Sequence, residues 1–288
     1  MYHALIMLSV SMLGSCFMLN DVYRKKRSSN LLSSMESSCI GALAGIIVLF
    51  IINGIKFEFT LFTAIMSLLT ALNGICFTYL SFKSLDTTNL SLYSLFSMLG
   101  GMLLPFAQGI IFYGEEITVA KVLCVVFIMA ALALTIKKGN GKKGYLYYIG
   151  IFVLNGMSGV ISKFFNELPF EKTSAASYSM YGAIWTVIIS GILWILLAKS
   201  GKYKMPKYPV GVAAIAAAKG TVNRVANFIL VLALAHVDAS IQYPMVTGGV
   251  MIMSTLVCFF GSNKPSKREI ISVVLAFIGL LLLFVIPF

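Results

Sequence analysis

The chain has 288 residues, 59% hydrophobic and only 11% charged, with a mean hydropathy of +0.94. Soluble chains carry roughly 25% charged residues, so this composition excludes a water-facing shell. The formal charge of +12, from 22 Lys+Arg against 10 Asp+Glu, takes its meaning from the loops that hold it.

In chain order, apolar runs long enough to cross hydrocarbon occupy residues 2–20, 34–54, 60–82, 89–113, 117–136, 145–165, 174–198, 209–234, 239–261 and 269–287. A spanning helix needs about 20 apolar residues, and only helices or closed barrels satisfy their backbone in lipid. These runs are too long and too continuously apolar for barrel strands. The pattern predicts an all-α integral membrane protein with ten transmembrane helices. The first run contains Leu13-Gly14-Ser15-Cys16, which looks like a lipoprotein cleavage box. Its basic cluster, Arg24 to Arg27, follows the apolar stretch instead of preceding it, so the run is expected to remain as an uncleaved first span. Connections such as Gly114-Glu115-Glu116 and Lys137 to Gly144 leave no room for a soluble domain. The cysteines (Cys16, Cys39, Cys76, Cys124 and Cys258) lie singly in apolar runs, with neither disulfide nor metal-ligand spacing. They read as packing residues.

Most basic residues follow odd-numbered helices, whereas the other side holds Lys56, Lys121, Lys163 and Lys172. The positive-inside rule then places odd loops in the cytoplasm and both termini outside a plasma membrane. The net charge is mainly an orientation signal, and no nucleic-acid partner is expected.

Self-similarity appears at an offset of 148. Gly100-Gly101 falls on Gly248-Gly249, Phe112 on Phe260, Thr118 on Ser266, and Val125-Val126 on Val273-Val274. Ten helices divide into five plus five, and a directly repeated five-helix unit must be inverted in the membrane. The expectation is two inverted five-helix repeats, residues 1–140 and 141–288, forming one structural unit around a central cavity.

The segment from Asn73 through Tyr79 to Leu85 resembles the third helix of the drug/metabolite transporter superfamily, of EamA-like type. Gly114-Glu115-Glu116-Ile117-Thr118 is similar to that family's Gly-Glu-x-Leu-Thr turn, and Phe228 to Met245 repeats the pattern. The resemblance implies a ten-helix basket whose central cavity carries small metabolites. Two features depart from it. Ser262-Asn263-Lys264 stands where the family often has Gly-Glu, and family members are commonly drawn with both termini in the cytoplasm.

Ionisable residues at bilayer depth are expensive and mark candidate sites. Lys219, Asn223 and Asn227 are spaced i, i+4, i+8 on one helical face, with Arg224 projecting about 100° from Asn223. Counting ~1.5 Å per residue from Pro209 puts Lys219 roughly 15 Å along the helix, near midplane. Either the cations form a cavity patch for a carboxylate or phosphate, or Lys219 snorkels and Arg224 bonds to carbonyls of neighbouring helices. Glu36 lies inside the second run, close to an end where snorkelling is cheap, and is the candidate coupling residue. The first and sixth runs lack the membrane-embedded acid that small four-helix exporters of the superfamily carry in helix one. Tyr178, Tyr181 and Trp185 form a stripe that either stacks a ligand or packs helices. Asn73, Tyr79, Gln108 and Asn155 either line the cavity or bridge helices. Gly45, Gly74, Gly100, Gly101, Gly156, Gly159, Gly248 and Gly249 read as close-crossing positions, and Pro105 and Pro244 as kinks.

These residues together predict a secondary transporter of a small anionic or zwitterionic metabolite: an amino acid, organic acid or phosphorylated metabolite. The alternative is an exporter of amphipathic or cationic compounds through an aromatic-lined cavity. His3 and His236 show no catalytic or metal-ligand spacing, so neither enzymatic activity nor a cofactor is expected. The expected partners are the substrate and the bilayer, with the chain a monomer or weak homodimer.

Overall fold

The computed structural model describes residues 1–27, 30–87, 90–134, 145–201, 211–260 and 266–285. These form ten helices with no strand among them: α1 Tyr2–Lys26, α2 Leu31–Ile52, α3 Leu61–Thr87, α4 Leu90–Tyr113, α5 Val119–Leu134, α6 Tyr145–Glu167, α7 Ala175–Lys199, α8 Val212–Leu234, α9 Ala239–Phe260 and α10 Lys267–Val285. Each helix sits on one predicted apolar run. Six contain stretches long and apolar enough to cross a membrane, in α2, α3, α4, α6, α7 and α8, while α1, α5 and α10 hold shorter ones. The molecule is a helical membrane protein.

Several boundaries differ from expectation, two of them with a visible cause. Helix α1 runs past residue 20 into the basic cluster, where Tyr23 packs on Val212 and Ala216 of α8. Tyr23 is buried there and its hydroxyl donates to the Ser33 carbonyl at 3.0 Å. Helix α8 begins at Val212, after Gly211 at φ +84°, a left-handed conformation open to glycine. Lys219 is therefore seven residues into the helix, about 10 Å along it and short of midplane. Pro209, Lys137 to Gly144 and Ser262-Asn263-Lys264 lie outside the described residues, as does the side chain of Cys258.

The largest helix–helix interfaces join the two halves of the chain: α4 with α6, α2 with α7, α1 and α2 with α8, and α5 with α10. Lipid tails are as apolar as leucine, so such association depends on close packing and on polar bonds between helices. The tightest crossing is made by glycines. A Cβ added to Gly220 of α8 would overlap the Cα of Gly41 on α2, and one added to Gly100 would overlap the Phe152 carbonyl on α6. Gly74 was expected to mark a crossing, but no atom lies within 4 Å of the position its Cβ would take. Ile6, Val10, Met102, Ile128, Met245 and Leu280 form a core where α1, α4, α5, α9 and α10 meet. Large apolar side chains such as Ile47, Ile51, Ile111, Ile192 and Phe277 point outward, as a lipid-facing surface requires. Cys16, Cys39 and Cys124 are buried free thiols, whereas Cys76 is exposed.

Two lysines counted toward orientation are buried in the bundle. Lys121 of α5 is 2% exposed and Lys163 of α6 is 4% exposed. Lys121 Nζ pairs with Asp238 at 3.0 Å and also donates to the Glu116 carbonyl. Lys163 Nζ bridges Glu115 and Glu167, both at 3.0 Å. Burial of an ammonium is tolerated where carboxylates and carbonyls replace its water.

The Glu115 turn works as a cap. After Gly114 at φ +64°, Glu115 accepts backbone N–H bonds from Ala239 at 2.9 Å and Ser240 at 2.8 Å at the start of α9. A helix N-terminus leaves donors unsatisfied and favours a negative charge. One carboxylate thus ties the α4–α5 turn to α6 and α9. Burial pulls the Glu115 carboxyl upward, but the bonds from Ser240, Ala239 and Lys163 outweigh it and hold it below its ordinary 4.5.

Candidate functional site

Two chambers lie side by side at the centre of the bundle. The first, about 400 Å³, is bounded by α2, α3, α6, α7 and α8 and is lined by Lys219 and Arg224. The second, about 480 Å³, is bounded by α1, α3, α4, α6, α8 and α9. They share Phe77, Asn155, Ser158, Ser162, Asn223, Asn227 and Val231, so they join.

Helix α8, together with α6, forms most of the boundary between them. Its glycine contact with α2 brings Lys219 against Ser37, whose hydroxyl lies 3.3 Å from Nζ. The same ammonium stands 5.8 Å from the centroid of the Tyr23 ring, within range of a cation–π attraction. Arg224 Nη2 donates to Thr186 Oγ1 on α7 at 2.7 Å, and its stem passes Gly45, where a Cβ would come within 2.9 Å of Cγ. Among the described residues Lys219 meets the Ser37 hydroxyl and Arg224 the Thr186 hydroxyl, and Lys219 does not snorkel away from the bundle. Arg224 was expected off the Lys219 face. It lines the same chamber because the cavity wraps around α8 instead of touching one stripe.

Asn223 and Asn227 follow on this wall. Asn227 Nδ2 donates to the Asn223 carbonyl at 2.8 Å and to its Oδ1 at 3.2 Å. Across the cavity Asn155 anchors itself by donating to the Ser97 carbonyl at 2.6 Å, and it lines both chambers. None of the described residues lining either chamber is acidic. Among the described residues no cluster of His, Cys, Asp or Glu could hold a metal ion.

A fold comparison with solved structures finds 29 matching chains. One, a crystal structure of a protein, superposes on 99% of this chain and 99% of its own at a TM-score of 0.72 and 16% sequence identity. At that identity the likeness is one of fold. No family model matches the chain. None of the curated proteins matches it either.

The remaining predicted residues divide. Tyr178 lines the cationic chamber, but its hydroxyl is bonded to Thr70 at 2.5 Å and its ring stacks on Phe165 at 4.1 Å. Tyr181 donates to the Glu58 carbonyl and Trp185 Nε1 to the Ala64 carbonyl. Trp185 lines neither chamber, so the stripe on α7 serves mainly to pack α3. Asn73 bridges α3 to the Leu154 carbonyl of α6 at 2.8 Å, and Gln108 bridges α4 to the Val160 carbonyl. Tyr79 is 45% exposed and lines no chamber. Glu36 does not snorkel. It is fully buried, paired with Arg27 at 2.9 Å, one residue before Ser37. His236 is exposed and stacks on Tyr2.

Ser37, Thr70, Thr186, Gln242 and Thr247 are lining residues that the sequence reading did not single out. The signal available for the first three was a hydroxyl within a membrane run near an ionisable residue's level, on a different helix.

Proposed function

We propose that this protein is a secondary transporter that moves a small anionic or zwitterionic metabolite by alternating access. The observation that carries the reading is the pairing of Lys219 and Arg224 in one chamber whose described lining contains no carboxylate. Cations in a low-dielectric cavity attract an anion strongly, and the described partner of the buried Arg224 guanidinium is a neutral hydroxyl, that of Thr186. Ser37 and Thr186, already within hydrogen-bond range of the cations, supply further donors to carboxylate or phosphate oxygens.

Ten spans arranged as two inverted five-helix repeats suit this task, since such repeats place a site at their interface. The helix pairings support that arrangement. Adding five to each number turns α1–α8 into α6–α3 and α1–α9 into α6–α4, and all four pairs are in contact. The starts of α5 and α10, Val119 and Lys267, are also 148 residues apart, which is the offset of the sequence repeat. The ten-helix layout and the Glu115 turn keep the EamA-like resemblance as the preferred family reading.

Loop charge supports a plasma-membrane orientation with odd loops in the cytoplasm. With Lys121 and Lys163 buried in ion pairs, Lys56 and Lys172 are what remains of the four basic residues assigned to the opposite face. The cationic-export alternative loses support because Tyr178 is already stacked and bonded and Trp185 lies outside the cavity.

The test is uptake of labelled organic acids and phosphorylated compounds into proteoliposomes. Lys219→Ala and Arg224→Ala are expected to abolish uptake while eluting as folded protein. Wild-type rates from both variants would end the reading, as would single-channel currents in place of saturable uptake.

A further inference from the structure

The two chambers differ in chemistry, and that difference bears on the shape of the ligand. Next to the cationic chamber, the larger one is lined by Leu13, Met98, Leu230, Leu234, Val246 and Val250, interrupted by neutral polar groups. None of its described lining residues is charged. Gln242 stands in its wall. The Gln242 Nε2 donates to the Leu230 carbonyl at 2.9 Å, while Oε1 is buried and accepts no hydrogen bond. A buried amide oxygen without a donor is costly, and a ligand N–H or O–H in this chamber supplies one.

A bare acid such as lactate fills part of the cationic chamber and leaves about 480 Å³ beside it. A volume of several hundred Å³ walled by apolar side chains with a few polar groups is typical of sites for larger organic ligands. An ammonium placed there meets no carboxylate among the described lining residues, so an uncharged body is favoured. Resting on the anion reading, we infer that the substrate is an amphipathic organic anion. Its acid group lies at Lys219 and Arg224, and its uncharged, partly apolar body with a hydrogen-bond donor lies in the neutral chamber across Asn155 and Asn227.

The test uses three probes on the purified chain in lipid nanodiscs, read as the ligand-dependent rise in unfolding temperature. The probes are N-acetylphenylalanine, its uncharged amide, and lactate. N-acetylphenylalanine half-saturates at a concentration about tenfold or more below that of lactate, as expected for burial of an added ring. The amide gives no shift, and Arg224→Gln removes the response to both acids. Thr247→Trp and Val246→Trp, which fill the neutral chamber, bring the two acids to similar half-saturation. The inference is overturned if the acids are equivalent in the wild-type chain, or if their ratio survives in both filling variants. In those cases loss of binding in Arg224→Gln still leaves the anion reading standing. A shift from the amide equal to that from its acid, or none from either acid, overturns both.

Discussion

Gly41 and Gly220 meet backbone to backbone: a Cβ on Gly41 would lie 2.8 Å from the Gly220 Cα. This contact sets α8 against α2 at the level where Lys219 reaches Ser37. Gly220→Val forces the helices apart, and overpacking of this kind costs about 1–3 kcal/mol. The thermal midpoint of the purified variant should fall, and the response to anions should weaken with it. A midpoint equal to wild type would show that the crossing has slack that the structure lacks.

Thr186→Val keeps the shape of the residue but removes the oxygen that holds Arg224 Nη2. The guanidinium stays charged and loses its fixed position. Losing one charge-assisted bond is worth about 1.5–3 kcal/mol, so under the proposed function the apparent affinity for an anionic substrate should fall about tenfold or more with folding retained. Titration of uptake rate against substrate concentration reads this directly.

Glu115 gives a pH dependence with a definite sign. Its carboxyl is held below the ordinary value in the folded protein, so its contribution is fully present above about pH 4.5 and is lost as pH falls through the lowered value. Thermal midpoints measured from pH 7 to 3 should drop at the acid end. In Glu115→Gln the midpoint should be lower at neutral pH and the acid-end drop smaller. An unchanged profile in that variant would assign the acid sensitivity to other groups.

The Arg27–Glu36 pair is buried on both sides, with side-chain exposures of 6% and 0%. Removing one partner strands the other charge, a loss of about 3–5 kcal/mol, whereas replacing both by apolar residues is often neutral. Arg27→Met should therefore destabilise strongly, and Arg27→Met combined with Glu36→Leu should recover most of the loss in chemical denaturation. If the double variant is no better than the single, Glu36 is held by something besides Arg27.

All ten described helices were legible as apolar runs, because an apolar stretch of helical length stands out in the sequence by itself. Lys219 and Arg224 were legible for the same reason: a cation inside such a run stands out against its neighbours. What joins helices was not. Thr186 follows Trp185 in an apolar stretch and reads as packing until Arg224, 38 positions later, is seen at 2.7 Å. Lys121 and Lys163 entered only the orientation count, because a sequence does not display the carboxylate that a buried lysine meets. Arg224 projects off the Lys219 face on a helical wheel and still lines the same chamber, because the cavity wraps α8.

The Lys121–Asp238 bridge also has a consequence in time. Its two members are separated by 117 positions, so the lysine is made first and its carboxylate follows roughly 6–23 s later at about 5–20 residues per second. During that interval α5 carries a cation whose carboxylate is still missing, at a moment when α9 does not yet exist. The Glu116 carbonyl, five positions earlier and 2.8 Å from the ammonium, is already present. Nascent α5 thus has a local acceptor to hold the charge until the later helix arrives.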